Sequence, residues 1–417
     1  MNIRRGVRGW LGFSKTGTYS SPFKTPPFLS TLECSGCGRL FPPDRIHTYC
    51  PDCQSPLLAR YDLKAARRKL DRDAFRFRRI GMWRWFELLP VVDPKRIVSL
   101  GEGDCSLLRL VHINRELGLR HVFVKDESTN PTGTFKARGL SAAVSKANEL
   151  GIAKVIVPTA GNAGGAMAAY AARAGMEALV YFPKDAPRAN VQESRMAGAQ
   201  IVLIDGLITD AAGMAGEKGR REGWFDLSTF KEPYRVEGKK IMGYELAEAF
   251  NWDLPEVIIY PTGGGTGLVG MWKAFAEMEA LGWLNYGHKP RMVAVQAAGC
   301  APVVRAFDAG AAFCDFWTDA QTIASGLRVP KSFADQLILK DIRESRGIAL
   351  AVSDEDILRA QHRLCQEEGI FPAPESAATL AALEELVRRR WVDRDERIVL
   401  FNTGSGLKYL DQSTEAA

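Results

Sequence analysis

Apolar residues in this chain fall into short runs that alternate with longer stretches of helical spacing. Runs rich in β-branched and aromatic residues occupy 122–124, 155–157, 178–181 and 201–204, and each is followed by a helix-patterned segment, beginning at Lys136, Ala163, Asn190 and Thr209. The strand pattern resumes at 257–260, 292–295 and 398–401. Strand followed by helix, repeated, predicts a mostly parallel sheet with helices on both faces. Two such series predict two α/β lobes with a cleft between them. Ligands of open α/β sheets bind beyond the carboxyl ends of the strands, so the loops after these runs are where chemistry is expected.

The first ninety-odd residues read differently. Residues 1–30 carry Arg4, Arg5, Arg8, Lys15 and Lys24 with no acid before Glu33, a composition shared with transit peptides, but Gly6, Gly9, Gly12 and Gly17 oppose an amphipathic helix, so a basic tail is expected. Residues 63–77 combine Arg67, Arg68, Lys69, Arg72 and Arg76 with Leu63, Leu70, Phe75 and Phe77, which predicts an amphipathic connector helix within 61–95 rather than a nucleic-acid surface. Arg78 and Arg79 extend the basic run. Trp83, Arg84, Trp85 and Phe86 are expected in the core or at a subunit contact.

Composition narrows the functional classes. The 417 residues are 46% hydrophobic and 25% charged, enough for two or three domains around a large core. A net charge of +6, spread over interleaved acids and bases, gives nucleic acid little support as a partner and allows a mild attraction for anionic substrates. No apolar run is long enough to cross a bilayer, so a soluble, cytoplasmic protein is expected. Of the eight cysteines, Cys105, Cys300, Cys314 and Cys365 are scattered as core residues would be. The other four form Cys34-x2-Cys37 and Cys50-x2-Cys53, separated by twelve residues. Two such turns can place four thiolates around one Zn2+, closed to substrate and therefore structural, within a ribbon at 31–60 too small to fold on apolar burial alone. His47 is an alternative ligand or a surface loop residue.

Lys136 is the candidate catalytic residue. It follows Asn130-Pro131-Thr132-Gly133-Thr134-Phe135, a loop entering a helix, and the helix N-terminus together with Arg138 would lower its pKa and make it a nucleophile suited to a Schiff base. Two glycine-rich loops accompany it. Pro158-Thr159-Ala160-Gly161-Asn162-Ala163-Gly164-Gly165 follows one strand and Thr262-Gly263-Gly264-Gly265-Thr266-Gly267 another, the arrangement in which backbone amides at a helix start hold an anion. The dinucleotide pattern is only loosely approached and lacks its acidic residue, so NAD is a poor competitor.

From about Ser99 to Asp411 the chain resembles the fold-type II (tryptophan synthase β-like) pyridoxal-phosphate enzymes, and Asn-Pro-Thr-Gly-Thr-Phe-Lys resembles the threonine synthases most closely. The resemblance implies a catalytic region over 96–417, with a smaller lobe at roughly 135–225 and the cofactor in the cleft. It implies that Lys136 carries pyridoxal 5'-phosphate as a Schiff base, that Asn162 faces the cofactor's 3-oxygen, and that Thr159, Ala160 and Gly161 take the substrate carboxylate. Gly263, Gly264, Gly265, Thr266 and Gly267 would form the phosphate cup. Thr403, in Thr403-Gly404-Ser405-Gly406-Leu407-Lys408, would face the pyridine nitrogen, a role compatible with helix capping. Arg235, in Pro233-Tyr234-Arg235-Val236-Glu237-Gly238, would help bind a substrate phosphate or else form a salt bridge. Residues 97–103 resemble the family's opening strand and turn, with Cys105-Ser106 where Thr-Pro is usual. Glu102 and Glu375 are weaker candidates, Glu375 as a cleft residue or a helix cap.

The implied activity is a carbon–oxygen lyase reaction in which O-phospho-L-homoserine and water give L-threonine and phosphate, in a homodimer. Ala137, Ala160 and the segment Thr229-Phe230-Lys231-Glu232 depart from the family pattern. They leave open threonine or serine dehydration and β-replacement of the cysteine- or cysteate-synthase kind. A catalytically silent zinc-ribbon scaffold is the reading from another class, opposed by the intact Lys136, Asn162, glycine cup and Thr403.

Overall fold

A computed structural model describes residues 25–78 and 81–413. The basic tail therefore falls almost wholly outside the described residues, as does Arg79. The chain begins its described course with an antiparallel three-stranded ribbon, β1 (Leu29–Cys34), β2 (Leu40–Phe41) and β3 (Leu57–Tyr61), in the order β2-β1-β3. β4 (Leu107–Arg109) and β5 (His121–Asp126) follow, and then β6 (Lys154–Pro158), β7 (Glu177–Pro183), β8 (Gln200–Ile204) and β9 (Phe225–Asp226) form a parallel sheet in the order β8-β7-β6-β9. The chain then adds β10 (Val257–Pro261), β11 (Arg291–Ala297), β12 (Ile348–Val352) and β13 (Arg397–Asn402) beside β5, giving β12-β11-β10-β13-β5-β4, parallel except for the edge strand β4.

The strand–helix alternation legible in sequence is the one observed. Helices Lys136–Glu149, Ala163–Ala174, Arg188–Met196 and Ile208–Glu222 follow β5, β6, β7 and β8. Strands β10 and β13 are buried at every or nearly every position, which is why they read as continuous apolar runs. No helix among the described residues is long and apolar enough to cross a membrane.

Two expectations fail for local reasons. Residues 63–77 are not one amphipathic helix: helix Leu63–Lys69 stops at the extended Leu70, and the Asp71 carboxylate accepts from the Asp73 amide to start a separate 3-10 turn, Arg72–Phe77. Phe77 consequently points outward and is 85% exposed. Residues 97–100 form no strand: Val98 bonds instead to serine hydroxyls of helix Lys136–Glu149, its amide donating to Ser145 and its carbonyl accepting from Ser141. The tryptophan cluster is core: Trp85 is fully buried, stacked 4.4 Å from Phe75, met edge-on by Trp252 and at a tilt by Trp283.

Helices Lys136–Glu149 and Arg235–Ala249 cross so closely that glycine is required on both. A Cβ on Gly238 would lie 2.0 Å from the Arg138 carbonyl oxygen, and one on Gly139 would lie 2.9 Å from that of Arg235. Gly238→Ala is therefore expected to destabilise the protein by about 3 kcal/mol or more in denaturant unfolding. Gly213→Ala, on helix Ile208–Glu222 with open space around it, should instead stabilise by about 0.5–1 kcal/mol.

Candidate active site

Four loops at carboxyl ends of strands converge on one cavity of about 500 Å³. The loop after β5 brings Phe135 and Lys136, the loop after β6 brings Thr159 to Asn162, the loop after β10 brings Gly263 to Gly267, and the residue after β13 is Thr403. Arg235, at the start of helix Arg235–Ala249, lines the same cavity. Lys136, Asn162, the substrate loop, the glycine cup, Arg235 and Thr403, together with Glu375, thus line one volume, whereas Glu102 does not.

The lysine loop is fixed by its own side chains. The Asp126 carboxylate accepts from the amide and hydroxyl of Ser128, and Asn130 donates to the Glu127 carbonyl and carboxylate while accepting from the Gly103 amide. Thr132 and Gly133 both take positive φ, 62° and 65°, turning the chain into the helix. The Phe135 amide then donates to the Thr403 carbonyl at 3.0 Å, tying the lysine turn to the last strand. Two residues beyond Lys136, Arg138 is fully buried with its guanidinium shared between Glu127 (2.5 and 2.8 Å) and Glu245 (2.6 and 2.7 Å).

Lys136 is an amine disposed to lose its proton. Burial lowers it most and the Arg235 cation lowers it further, with partial compensation from Glu375, to about 7. The direction matches the sequence expectation while the cause differs, because Arg138 is occupied by its carboxylates and Arg235 is the cation facing the cavity. Burial also raises Glu375, whose Oε1 accepts from the Gly326 amide (2.6 Å) and from the Tyr409 hydroxyl (2.9 Å). Tyr409 in turn accepts from Asn162 Nδ2 at 2.8 Å. Asn162 Oδ1 and Glu375 Oε2 are buried without a partner among the described residues, on two side chains that line the cavity.

The glycine cup is spatially obligatory. A Cβ on Gly263, Gly264, Gly265 or Gly267 would come within 2.4 Å of Gly326 O, 2.7 Å of Thr229, 2.2 Å of Ile338 or 1.9 Å of the Tyr260 hydroxyl. Gly265 has φ 75° at the N-terminus of helix Thr266–Leu281. An unpartnered amide oxygen, a free amine and amides at a helix start suit an aldehyde cofactor bearing a phosphate.

Arg235 makes no carboxylate ion pair among the described residues. One terminal nitrogen donates to the Leu227 carbonyl at 2.6 Å and Nε has no partner among the described residues, so the salt-bridge alternative fails. Thr403 does not cap the following turn, which Ser405 caps; its hydroxyl lies 3.2 Å from that of Ser376. Glu102 is outside the cavity, bonded to Trp83, Ser141 and Tyr170. Of the departures from family pattern, Ala137 and Phe230 are buried in packing, while Ala160, Thr229 and Lys231 reach the cavity. Ser325 to Leu327, a single 3-10 turn, and Lys331 and Phe333, on irregular chain, also line it and carried no sequence signal.

The four knuckle cysteines cluster with their sulfurs all within 4.8 Å of one another. Cys34 and Cys53 are 3.3 Å apart and Cys37 and Cys50 3.7 Å, near the roughly 3.8 Å separation that tetrahedral zinc–thiolate bonds impose. The Gly36 and Cys37 amides point at Cys34 Sγ. His47 is not in the cluster; its ring packs on Phe41. The ribbon reaches the cavity wall, since Tyr49 meets Phe333 edge-on at 5.5 Å, and Tyr61 donates to the buried Glu237 at 2.8 Å.

Residues 98–404 match the model of the pyridoxal-phosphate-dependent enzyme family. The threonine synthase of Methanocaldococcus jannaschii is 36% identical over 92% of this chain and 94% of its own length. That of Mycobacterium tuberculosis is 33% identical over 77% and 86%. Among solved structures, maize serine racemase aligns with TM-score 0.63 at 23% identity over 75% of this chain and 91% of its own, and Solanum lycopersicum threonine deaminase with 0.64 at 20% over 78% and 90%. The cavity is thus built on a fold-type II framework, and the chain belongs to the pyridoxal-phosphate-dependent enzyme family, among the threonine synthases.

Proposed function

We propose that the protein converts O-phospho-L-homoserine and water to L-threonine and phosphate, using pyridoxal phosphate carried on Lys136. The observation that carries this reading is the convergence of a proton-poor lysine, an unpartnered asparagine oxygen and an obligatory glycine cup on one cavity. Bound there, the cofactor supplies an electron sink for charge developing at the substrate Cα. The amides of Gly263 to Gly267 hold its phosphate, Asn162 its ring oxygen, and the Thr403 hydroxyl faces its nitrogen without forcing a proton onto it.

Lys136 then serves as the general base. Its amine, near 7 in the free cavity, would remove the Cα proton and then one from Cβ as phosphate leaves Cγ, return a proton to Cγ to make the methyl group, and return one to Cα once water has added its hydroxyl at Cβ. The backbone of Thr159, Ala160 and Gly161 receives the substrate carboxylate, and the free Nε of Arg235 is available to its phosphate. One Zn2+ held by Cys34, Cys37, Cys50 and Cys53 braces the ribbon, and the working unit is a cytoplasmic homodimer. Ala160 in the cavity wall is the observation that favours a second reading, simple β-elimination from a hydroxy-amino acid.

Protein loaded with cofactor should release phosphate and threonine in equal amounts from O-phosphohomoserine. Lys136→Ala should abolish turnover and Arg235→Gln should raise KM by about 10–100-fold. Production of 2-oxobutanoate from threonine, with O-phosphohomoserine inert, would replace the synthase reading with the eliminating one. Chelation should remove one zinc per chain and, through Tyr49 and Phe333, raise KM before it lowers kcat. Unchanged constants in metal-free protein would contradict the bracing role.

A further inference from the structure

Asn190 is fully buried, and neither Nδ2 nor Oδ1 of its side chain has a polar partner among the described residues. It sits in the first turn of helix Arg188–Met196. Its backbone is engaged there, the amide donating to the Pro187 carbonyl at 3.0 Å and the carbonyl accepting from the Ser194 hydroxyl at 2.9 Å. A carboxamide taken out of water with nothing to bond is costly, and native interiors rarely keep one. Such a group is explained where a bound molecule completes it.

The unsatisfied amide faces the loop that follows β6. A Cβ built on Gly161 would lie 3.5 Å from Asn190 Nδ2 and 3.6 Å from Ser325 Oγ, so the amide, the hydroxyl and the Gly161 α-carbon surround one point. Glycine leaves that point open, whereas any side chain at 161 would occupy it. Gly161 and Ser325 both line the cavity that contains Lys136, one on the loop after β6 and the other on chain between β11 and β12. An ion pair between Asp185 and Arg328, at 2.8 Å, ties the segment leading to Asn190 to the segment carrying Ser325.

The same loop is short of donors for a carboxylate. Of its three amides, that of Thr159 donates to the Tyr181 carbonyl at 2.9 Å and that of Gly161 to Thr159 Oγ1 at 3.0 Å, and position 160 is an alanine with no hydroxyl to offer. A carboxylate accepts several hydrogen bonds, and an uncharged N–H facing it makes a charge-assisted one. Asn190 Nδ2 is an uncommitted donor of that kind, on the open side of Gly161.

We propose that Asn190 is a substrate-binding residue: its Nδ2 donates to the α-carboxylate of the amino-acid substrate above the Gly161 α-carbon, supplying a hydrogen bond that the loop backbone lacks. The inference rests on the threonine synthase reading, in which this loop takes the carboxylate. That reading fails separately, if cofactor-loaded protein forms no threonine from O-phosphohomoserine.

The test measures binding to cofactor-loaded protein, read from the change in cofactor absorbance as L-threonine or L-threoninamide is titrated. Threonine carries no phosphate, and threoninamide keeps every group of threonine except the charged carboxylate. Asn190→Ala should weaken threonine by about 10–100-fold and threoninamide by about tenfold less. Equal loss for both ligands, the mark of a loop that has merely shifted, overturns the proposal, as does unchanged threonine binding. A crystal structure of the wild-type protein with cofactor and threonine answers without any substitution. Asn190 Nδ2 at about 3 Å from a carboxylate oxygen supports the assignment, and a water in that place overturns it.

Discussion

Arg138 holds the active lysine in place by being unable to go anywhere else. It is completely buried, and its guanidinium is forked between Glu127, on the loop that leads to Lys136, and Glu245, on the helix that also carries Arg235 and Lys239. Lys125, at the end of β5, completes the set at 2.6 Å from Glu245. Removing one partner from such a group leaves a buried charge uncompensated, at a cost of about 3–5 kcal/mol. The strand end, the lysine loop and the Arg235 helix are therefore locked to one another, and the Gly139 and Gly238 contact lets the two helices approach closely enough for the lock to close.

With that frame rigid, the cavity can keep a cationic side chain short of its proton. Arg235, Lys231 and Lys331 line it alongside Lys136, and Glu375 is the carboxylate nearest in effect to the amine. Burial first and the Arg235 cation second keep Lys136 short of its proton, and the same Arg235 with Lys231 and Lys331 attracts an anionic substrate. The ribbon joins this wall at Tyr49 and Phe333 and is anchored below by Tyr61 in the buried Glu237, Lys240, Lys273 and Glu277 group. It is part of the framework of the cleft.

Sequence alone carried the fold because buried parallel strands and their following helices leave an unmistakable alternation, from 122 to 204 and again from 257 onward. It carried the site because glycines packed against Tyr260, Ile338 and Gly326 tolerate no side chain, and because the turn at Thr132 and Gly133 has few chemical solutions. What it missed depends on partners distant in the chain. The 97–100 segment looks like a strand and is not one, because Val98 bonds to Ser141 and Ser145 of a helix. Arg138 looked like the cation next to Lys136 until Glu127 and Glu245 claimed it. Lys331 and Phe333 sit on irregular chain where no periodicity marks a cavity wall, and Asn190 reads as the polar start of a helix.

Lys136 is the residue proposed to carry the cofactor, and chemistry can ask this directly. Protein loaded with pyridoxal phosphate, reduced with borohydride and mapped by peptide mass spectrometry, should bear the reduced cofactor on Lys136 alone. Attachment at Lys239, Lys231 or Lys331, each close to the same cavity or to the Phe135 ring that borders it, would contradict the assignment and require the roles of all the cavity amines to be redrawn.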